Sequence, residues 1–133
     1  MQVSPGIFKA YDIRAHYPRE INRQVIVEIA RALACLFRLG KIIVGYDARL
    51  SSPKLYKALT QALLSANPKV RVVKAGLMTT PMLYFLVNYF KAQGGIMITA
   101  SHNPKEYNGL KIVGPKAAPI SGREIYELYK ALH

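Results

Sequence analysis

Cysteine occurs once in the 133 residues, at Cys35, which excludes an intramolecular disulfide framework and any multi-cysteine zinc site. Its setting, Ala34-Cys35-Leu36 inside an apolar helical pattern, reads as a small buried hydrophobe rather than a reactive thiol. No apolar run approaches the ~20 residues that span a bilayer. The N-terminus, Met1-Gln2-Val3-Ser4-Pro5, has no charged leader followed by an apolar core. Membrane insertion and secretion are therefore not expected, and a reducing, cytoplasmic location is. Acidic residues are scarce, with 7 Asp+Glu in all, and no two stand at a spacing that makes an obvious metal pair. His16 has no histidine or carboxylate at metal-ligand spacing and reads as a surface residue. There is no Gly-x-x-x-x-Gly-Lys-Ser/Thr loop and no Gly-x-Gly-x-x-Gly after any strand, so nucleotide binding has no direct support.

Apolar residues, by contrast, are plentiful: 51% of the chain is hydrophobic and 20% charged. That is enough to offset the entropy of ordering a chain of this length, so a single folded domain over residues 1–133 is expected and disorder is not. The 19 Lys+Arg give a net charge of +12 and a pI near 10.0. This balance suits anionic partners such as phosphates, nucleic acid or acidic lipid without choosing among them. The basic residues are spread from Lys9 to Lys130 and do not form the basic tail or helix typical of a DNA binder.

Hydrophobic periodicity then sets the organisation. After a short extended stretch over 7–11, the three- and four-residue spacing of Val25, Ile26, Ile29, Ala30, Leu33, Leu36 and Phe37 predicts an amphipathic helix over 22–39, with Gly40 as its stop. A β-branched strand over 41–46 follows, then a loop over 47–51. Ser52-Pro53 opens the next helix, with serine suited to accept from first-turn amides and proline suited to the first helical position. Asn67-Pro68 closes it. The pattern repeats with a strand over 70–75, a loop over 76–79, a helix from Thr80-Pro81 to about residue 93, and a strand over 95–100. A polar loop over 101–108, a strand over 109–113 and a helix whose Ser121-Gly122-Arg123-Glu124 has capping-box spacing complete the chain. The alternation predicts a three-layer α/β/α sandwich on a mixed, mostly parallel sheet, because parallel neighbours need long crossovers while the 101–108 loop is short enough for an antiparallel return. Ligand chemistry in such sheets gathers where strands end.

Thr99-Ala100-Ser101-His102-Asn103-Pro104 is the densest polar cluster, set directly after an apolar strand. A serine there can carry a phosphoryl group if a base takes its proton and nearby cations or amides stabilise the added charge. Ser, Asn and Pro are equally turn formers, and composition leaves both readings open. Lys111, inside the apolar Leu110-Lys111-Ile112-Val113, is either a solvent-facing strand lysine or one aimed at a phosphate or a proton. Arg14 can grip a phosphate through its planar fork, or form an ordinary surface pair with Asp12.

Four segments taken together closely resemble the first domain of the α-D-phosphohexomutases, nearest the phosphomannomutase/phosphoglucomutase branch. They are Phe8-Lys9-Ala10-Tyr11-Asp12-Ile13-Arg14; Val44-Gly45-Tyr46-Asp47-Ala48-Arg49 with Ser51-Ser52-Pro53; Gly76-Leu77-Met78-Thr79-Thr80-Pro81; and Gly94-Gly95-Ile96-Met97-Ile98-Thr99-Ala100-Ser101-His102-Asn103-Pro104 with Tyr107-Asn108-Gly109-Leu110-Lys111. The resemblance implies that Ser101 carries the phosphoryl group, that its phosphate ligates Mg2+, and that His102 and Asn103 line that phosphate. It implies that Lys111 and Arg14 assist proton transfer and charge stabilisation, that Tyr11 lies beside the substrate, and that Asp47 and Arg49 hold the loop architecture. The implied reaction interconverts hexose 1-phosphates and hexose 6-phosphates through a hexose 1,6-bisphosphate, which also serves as activator. Family enzymes have four domains, so the remaining mutase domains are expected partners, and the acidic metal loop and sugar-recognition loop are expected to lie outside this chain, leaving it inactive alone. Ala15 replaces the glycine that usually follows the arginine. The alternative is a stand-alone anion-binding or regulatory module on the same fold, holding sugar phosphates or nucleic acid; with nine dispersed tyrosines and no visible stacking platform, nucleic acid is not the expected partner.

Overall fold

A computed structural model describes residues 3–133. Six strands, β1 (Ile13–His16), β2 (Gly40–Tyr46), β3 (Val70–Leu77), β4 (Gly94–Ile98), β5 (Tyr107–Val113) and β6 (Pro119–Ile120), form one sheet. Its order is β1-β5-β4-β2-β3, with β6 beside β5. β2 runs parallel to β3 and β4, whereas β5 runs antiparallel to β4, β1 and β6. The short polar loop before β5 thus does produce the antiparallel return its length allows.

Four helices cover the sheet: α1 (Arg23–Leu36), α2 (Ser52–Ala66), α3 (Thr80–Tyr89) and α4 (Gly122–Ala131). One face packs Ile42, Val44, Ile96, Ile98, Leu110 and Ile112 against α1, α2 and α4. The other packs Ile43, Met97 and Val113 against Leu83 and Val87 of α3. Alternate residues of β2 and β4 therefore enter opposite cores, which is why both strands read as unbroken apolar runs. This is the three-layer α/β/α sandwich on a mixed sheet. No helix is long and apolar enough to cross a membrane among the described residues.

Several elements depart from their sequence patterns. The stretch over 7–11 is not extended: Pro5–Ile7 is a 3-10 turn, and Lys9 N–H donates to the Asp12 carbonyl (2.7 Å), closing a tight reversal that Phe8 and Ile13 bridge. The edge strand begins only at Ile13, where pairing with β5 starts. α1 ends at Leu36, before the expected stop, because Phe37 leaves helical geometry and buries its ring in the space beside Gly94, where a Cβ would collide with it. Ser52 does not cap α2; its hydroxyl donates to Asp47 Oδ1 (2.6 Å) instead. Cys35 is exposed, not buried, because the buried stripe of α1 runs through residues 25, 26, 29, 30, 33 and leaves 31 and 35 on the solvent side. Asp12 is buried rather than a surface carboxylate, and His16 is half-buried against the Tyr107 ring. The capping box of α4 forms as its spacing indicates, with Ser121 Oγ accepting from Glu124 N–H at 3.1 Å.

Candidate active site

β2 and β4 are parallel neighbours, so both deliver their following loops to the same end of the sheet. The Asp47 amide donates to the Ile98 carbonyl (3.0 Å), joining the two exits. Beyond Thr99 the chain turns sharply. Ser101 adopts φ 55, a left-handed conformation that costs an L residue about 1 to 2 kcal/mol and is sustained only when the surroundings over-determine it. Its amide donates to Thr99 Oγ1 (3.1 Å), the Asn103 amide to the Ala100 carbonyl (3.1 Å) and the Tyr107 amide to the Pro104 carbonyl (2.9 Å). Ser101 itself remains exposed at the lip of an open cleft of about 750 Å³. His102, Asp47, Thr79 at the start of α3, Met97 and Thr99 also line it.

The loop is held from below by Arg49, whose side chain is only 14% exposed. Nη2 donates to the carbonyls of Ser101 (2.9 Å) and Asn103 (2.7 Å), and Nη1 to those of Pro104 (2.7 Å) and Tyr107 (3.1 Å). Nε faces Asp47 Oδ2 at 3.4 Å. Asp47 Oδ1 accepts from the Arg49 amide (3.1 Å) and from Ser52 Oγ. Ser52 Oγ in turn accepts from Nδ2 of the buried Asn108 (3.0 Å), which also reaches Ser51 Oγ (2.7 Å). Holding the loop architecture, the role expected of Asp47 and Arg49, is thus visible in the bonds. The Ser52 and Asn108 links are an addition that sequence reasoning missed. Their only signal is a polar residue where a helix and a strand begin, which ordinary capping explains equally well.

Arg14 approaches from the edge strand. Its Nε donates to Asp12 Oδ1 (2.9 Å) and its Nη1 to Asn103 Oδ1 (3.0 Å), so the arginine and the serine loop are joined directly. Opposite residues of antiparallel strands share a face, and the pairs Arg14 with Gly109 and Met97 with Lys111 put Arg14, Lys111 and Met97 on the side of the sheet that α3 covers. Gly109 is required there because a Cβ would overlap the Ile13 carbonyl, so β1 reaches its close register only beside glycine. Ala15, in place of the expected glycine, faces the opposite core, is 2% exposed and pairs normally with Asn108, leaving the arginine's backbone as strand. Tyr11 stands 72% exposed on the turn before β1 and contacts none of these groups by hydrogen bond. Of the expected site residues, Ser101 and His102 therefore line the cleft, Asn103 and Arg14 are bonded to each other beside it, Lys111 lies on the adjoining strand face, and Tyr11 stands apart. At the outer end of β2, burial pushes the Tyr56 hydroxyl to a raised pKa, the Gly76 amide partly opposing and Tyr46 adding to the shift.

The sequence and the fold have counterparts among known proteins. A family model described as phosphoglucomutase/phosphomannomutase, alpha/beta/alpha domain I, matches residues 5–133. Phosphohexose mutases of Xanthomonas campestris pv. campestris are 45% identical over 114 residues, covering 86% of this chain and 25% of theirs. A phosphomannomutase of Klebsiella pneumoniae is 44% identical over 115 residues, covering 86% of this chain and 72% of its own. The chain thus spans about a quarter of the length of the Xanthomonas relatives. A crystal structure of a phosphoglucomutase/phosphomannomutase family protein from Burkholderia thailandensis matches with a TM-score of 0.87 at 35% identity, over 98% of this chain and 30% of that one. A match this continuous, in sequence as in overall structure, places the chain in one family: it belongs to the phosphoglucomutase/phosphomannomutase family, as the α/β/α domain I.

Proposed function

We propose that this chain supplies the phosphoryl-carrying serine of a phosphohexomutase that interconverts hexose 1-phosphates and hexose 6-phosphates. The observation that carries the reading is Ser101, held in a left-handed turn at a strand end and exposed at the lip of a cleft, with His102 beside it and Arg14 bonded to its loop. In the forward half-reaction the bond from phosphorus to Ser101 Oγ breaks and a bond from phosphorus to a sugar hydroxyl oxygen forms. The hydroxyl proton passes by way of Lys111 or a neighbour, and Ser101 leaves as the alcohol. A hexose 1,6-bisphosphate results, reorients, and returns its other phosphoryl group to Ser101. Because the transferred phosphoryl group needs positioning and charge compensation more than covalent help, the cationic Arg14 and Lys111, the exposed His102 and the half-buried Asn103 suit the task. Tyr11 would meet substrate from the edge of the sheet.

For the Mg2+ that the family resemblance implies, the phosphate of Ser101 is the donor this chain would supply. Asp12 and Asp47 are engaged by Arg14, Arg49 and Ser52, and no group of three His, Cys, Asp or Glu is placed to hold a metal among the described residues. The chain's own side chains do not form a magnesium site, and other ligands would come from the remaining mutase domains. The alternative of a stand-alone binding module has no observation in its favour.

The test is the intact mass of the chain before and after exposure to glucose 1,6-bisphosphate, with fragmentation to locate any phosphoryl group. We expect one phosphoryl group on Ser101 and none on Ser101→Ala. Modification of a different residue overturns the assignment, and no modification shows that activating the serine needs the metal ligands of the remaining mutase domains. The chain alone is expected to show no turnover of glucose 1-phosphate in a coupled assay, and sustained turnover would show that the other domains are dispensable.

A further inference from the structure

α1 and α2 lead into the parallel strands β2 and β3 and pack side by side, on the face of the sheet away from α3. Three depressions of about 350, 380 and 470 Å³ follow one another along their seam. The first two share Arg23, Ala58 and Gln61, and the second and third share Arg31 and Ala66, so they form one groove. It follows the 15 residues of α2, a length of about 22 Å at the helical rise. Ala58, Ala62 and Ala66 stand along its floor, and the exposed Arg23, Arg31, Lys54 and Lys57 along its rims. No Asp or Glu lines it among the described residues. We propose that this groove docks an α-helix of another polypeptide that bears carboxylates about two turns apart on one face.

The positive charge of the groove is unanswered within the chain. Arg23, Lys54 and Lys57 belong to no ion pair among the described residues. Arg31 meets Glu28 at 3.3 Å, but that pair is exposed at the arginine and holds it weakly. Arg23 and Lys54 also lie in the first turns of α1 and α2, where neither helix has an acidic residue. Cations there oppose the positive ends of both helix dipoles, and carboxylates supplied from outside relieve that opposition. Arg23 and Arg31 stand eight residues apart on α1, about 12 Å along its axis, which is the separation of side chains two turns apart on a second helix. The small floor lets such a helix settle between α1 and α2, so that its apolar side chains meet the alanine methyls while its carboxylates meet the rims. A phosphate backbone would satisfy the rims but leave charge against that floor. A second copy of this chain would bring another net charge of +12, which opposes self-association through a positive groove.

The probe is a fluorescein-labelled, alanine-based helical peptide with glutamates about two turns apart on one face, titrated with the parent chain by fluorescence anisotropy at low ionic strength. Arg23→Glu combined with Arg31→Glu should weaken binding about tenfold or more, because like charges then face each other across the contact. Lys91→Glu combined with Lys116→Glu makes the same change in net charge after α3 and after β5, away from the groove, and should weaken binding by no more than about twofold. Ala62→Gln fills the floor without changing charge and should also weaken binding about tenfold, an effect that a diffuse positive field does not produce. Thermal midpoints of the variants show that each is folded. A glycine-interspersed peptide of equal charge, unable to form a helix, should bind more weakly than the helical one. Failure of the parent to bind the helical peptide, equal losses from the two charge-reversed pairs, or an Ala62→Gln variant that binds like the parent overturns the proposal. So does tighter binding of duplex DNA or phosphatidylserine vesicles with the same dependence on Arg23 and Arg31, which would assign the groove to a different polyanion.

Discussion

Ser101 shows how much of a residue's placement is decided outside the residue. Its hydroxyl gains its place from a left-handed backbone, the backbone from four carbonyl bonds to Arg49, and Arg49 from Asp47. Gly109 plays a complementary part by having no side chain: β1 lies so close that the Ile13 carbonyl occupies the space a Cβ would take. Gly109→Ala should displace β1 and with it Arg14, destabilising the chain by about 1 to 3 kcal/mol as overpacked sites do. Urea unfolding measures this, and a midpoint equal to the parent's would show that the strand pair can open without loss. At this scale the sequence picked out candidate residues and was poor on their environment. The Ser101 cluster, Arg14 and Asn103 were visible as candidates. Cys35, Asp12 and Ser52 were misread because exposure and partner choice depend on which face of an element meets the core, and residues on either side of that boundary differ by one position.

Among the elements, the clearest signals were local. Asn22, Thr79 and Ser121 each accept a hydrogen bond from an amide in the first turn of the following helix, at Val25, Met82 and Glu124. Capping is settled within four residues, so it can be read without knowing the fold. Ser121→Ala should remove the side-chain half of the capping box, keep the bond from the backbone amide of residue 121 to Glu124, and cost about 1 kcal/mol, lowering the thermal midpoint by a few degrees while leaving phosphorylation of Ser101 unchanged. A larger loss would show that α4 also anchors the Lys9 to Asp12 reversal, whose Lys9 carbonyl accepts from the Gly122 amide at 2.9 Å. Helix ends were harder. α1 stops where Phe37 turns into the core and α3 stops at Tyr89, before the Lys91 backbone adopts φ 50, and neither event leaves a mark in hydrophobic periodicity. β6 has only two residues, too few to show alternation, and exists because β5 offers it an edge.

For the whole molecule, charge is distributed unevenly. No Asp or Glu occurs between Asp47 and Glu106, a span that includes 8 of the 19 basic residues and supplies α2, β3, α3 and β4. The net charge of +12 gives the molecule a positive field, which raises the local concentration of a sugar bisphosphate with its two anionic phosphate groups. Raising ionic strength from 0.01 M to 0.15 M shortens the screening length from about 30 Å to about 8 Å. Phosphorylation of Ser101 at limiting glucose 1,6-bisphosphate should slow accordingly, while the rate at saturating bisphosphate should not change. Equal salt sensitivity in both regimes would mean that salt acts on the chemistry and not on encounter.

The sequence by itself determined the alternation of strands and helices, the covering of the sheet on both faces and the capping box of α4, because each of these depends on spacing along the chain. Only the tertiary structure decided that Arg14 bonds Asn103 across 89 residues, that Arg49 gives four hydrogen bonds to the serine loop, and that Lys111 and Arg14 share a face. Those relations arise from strand register, and register is set when distant segments bury their apolar faces together.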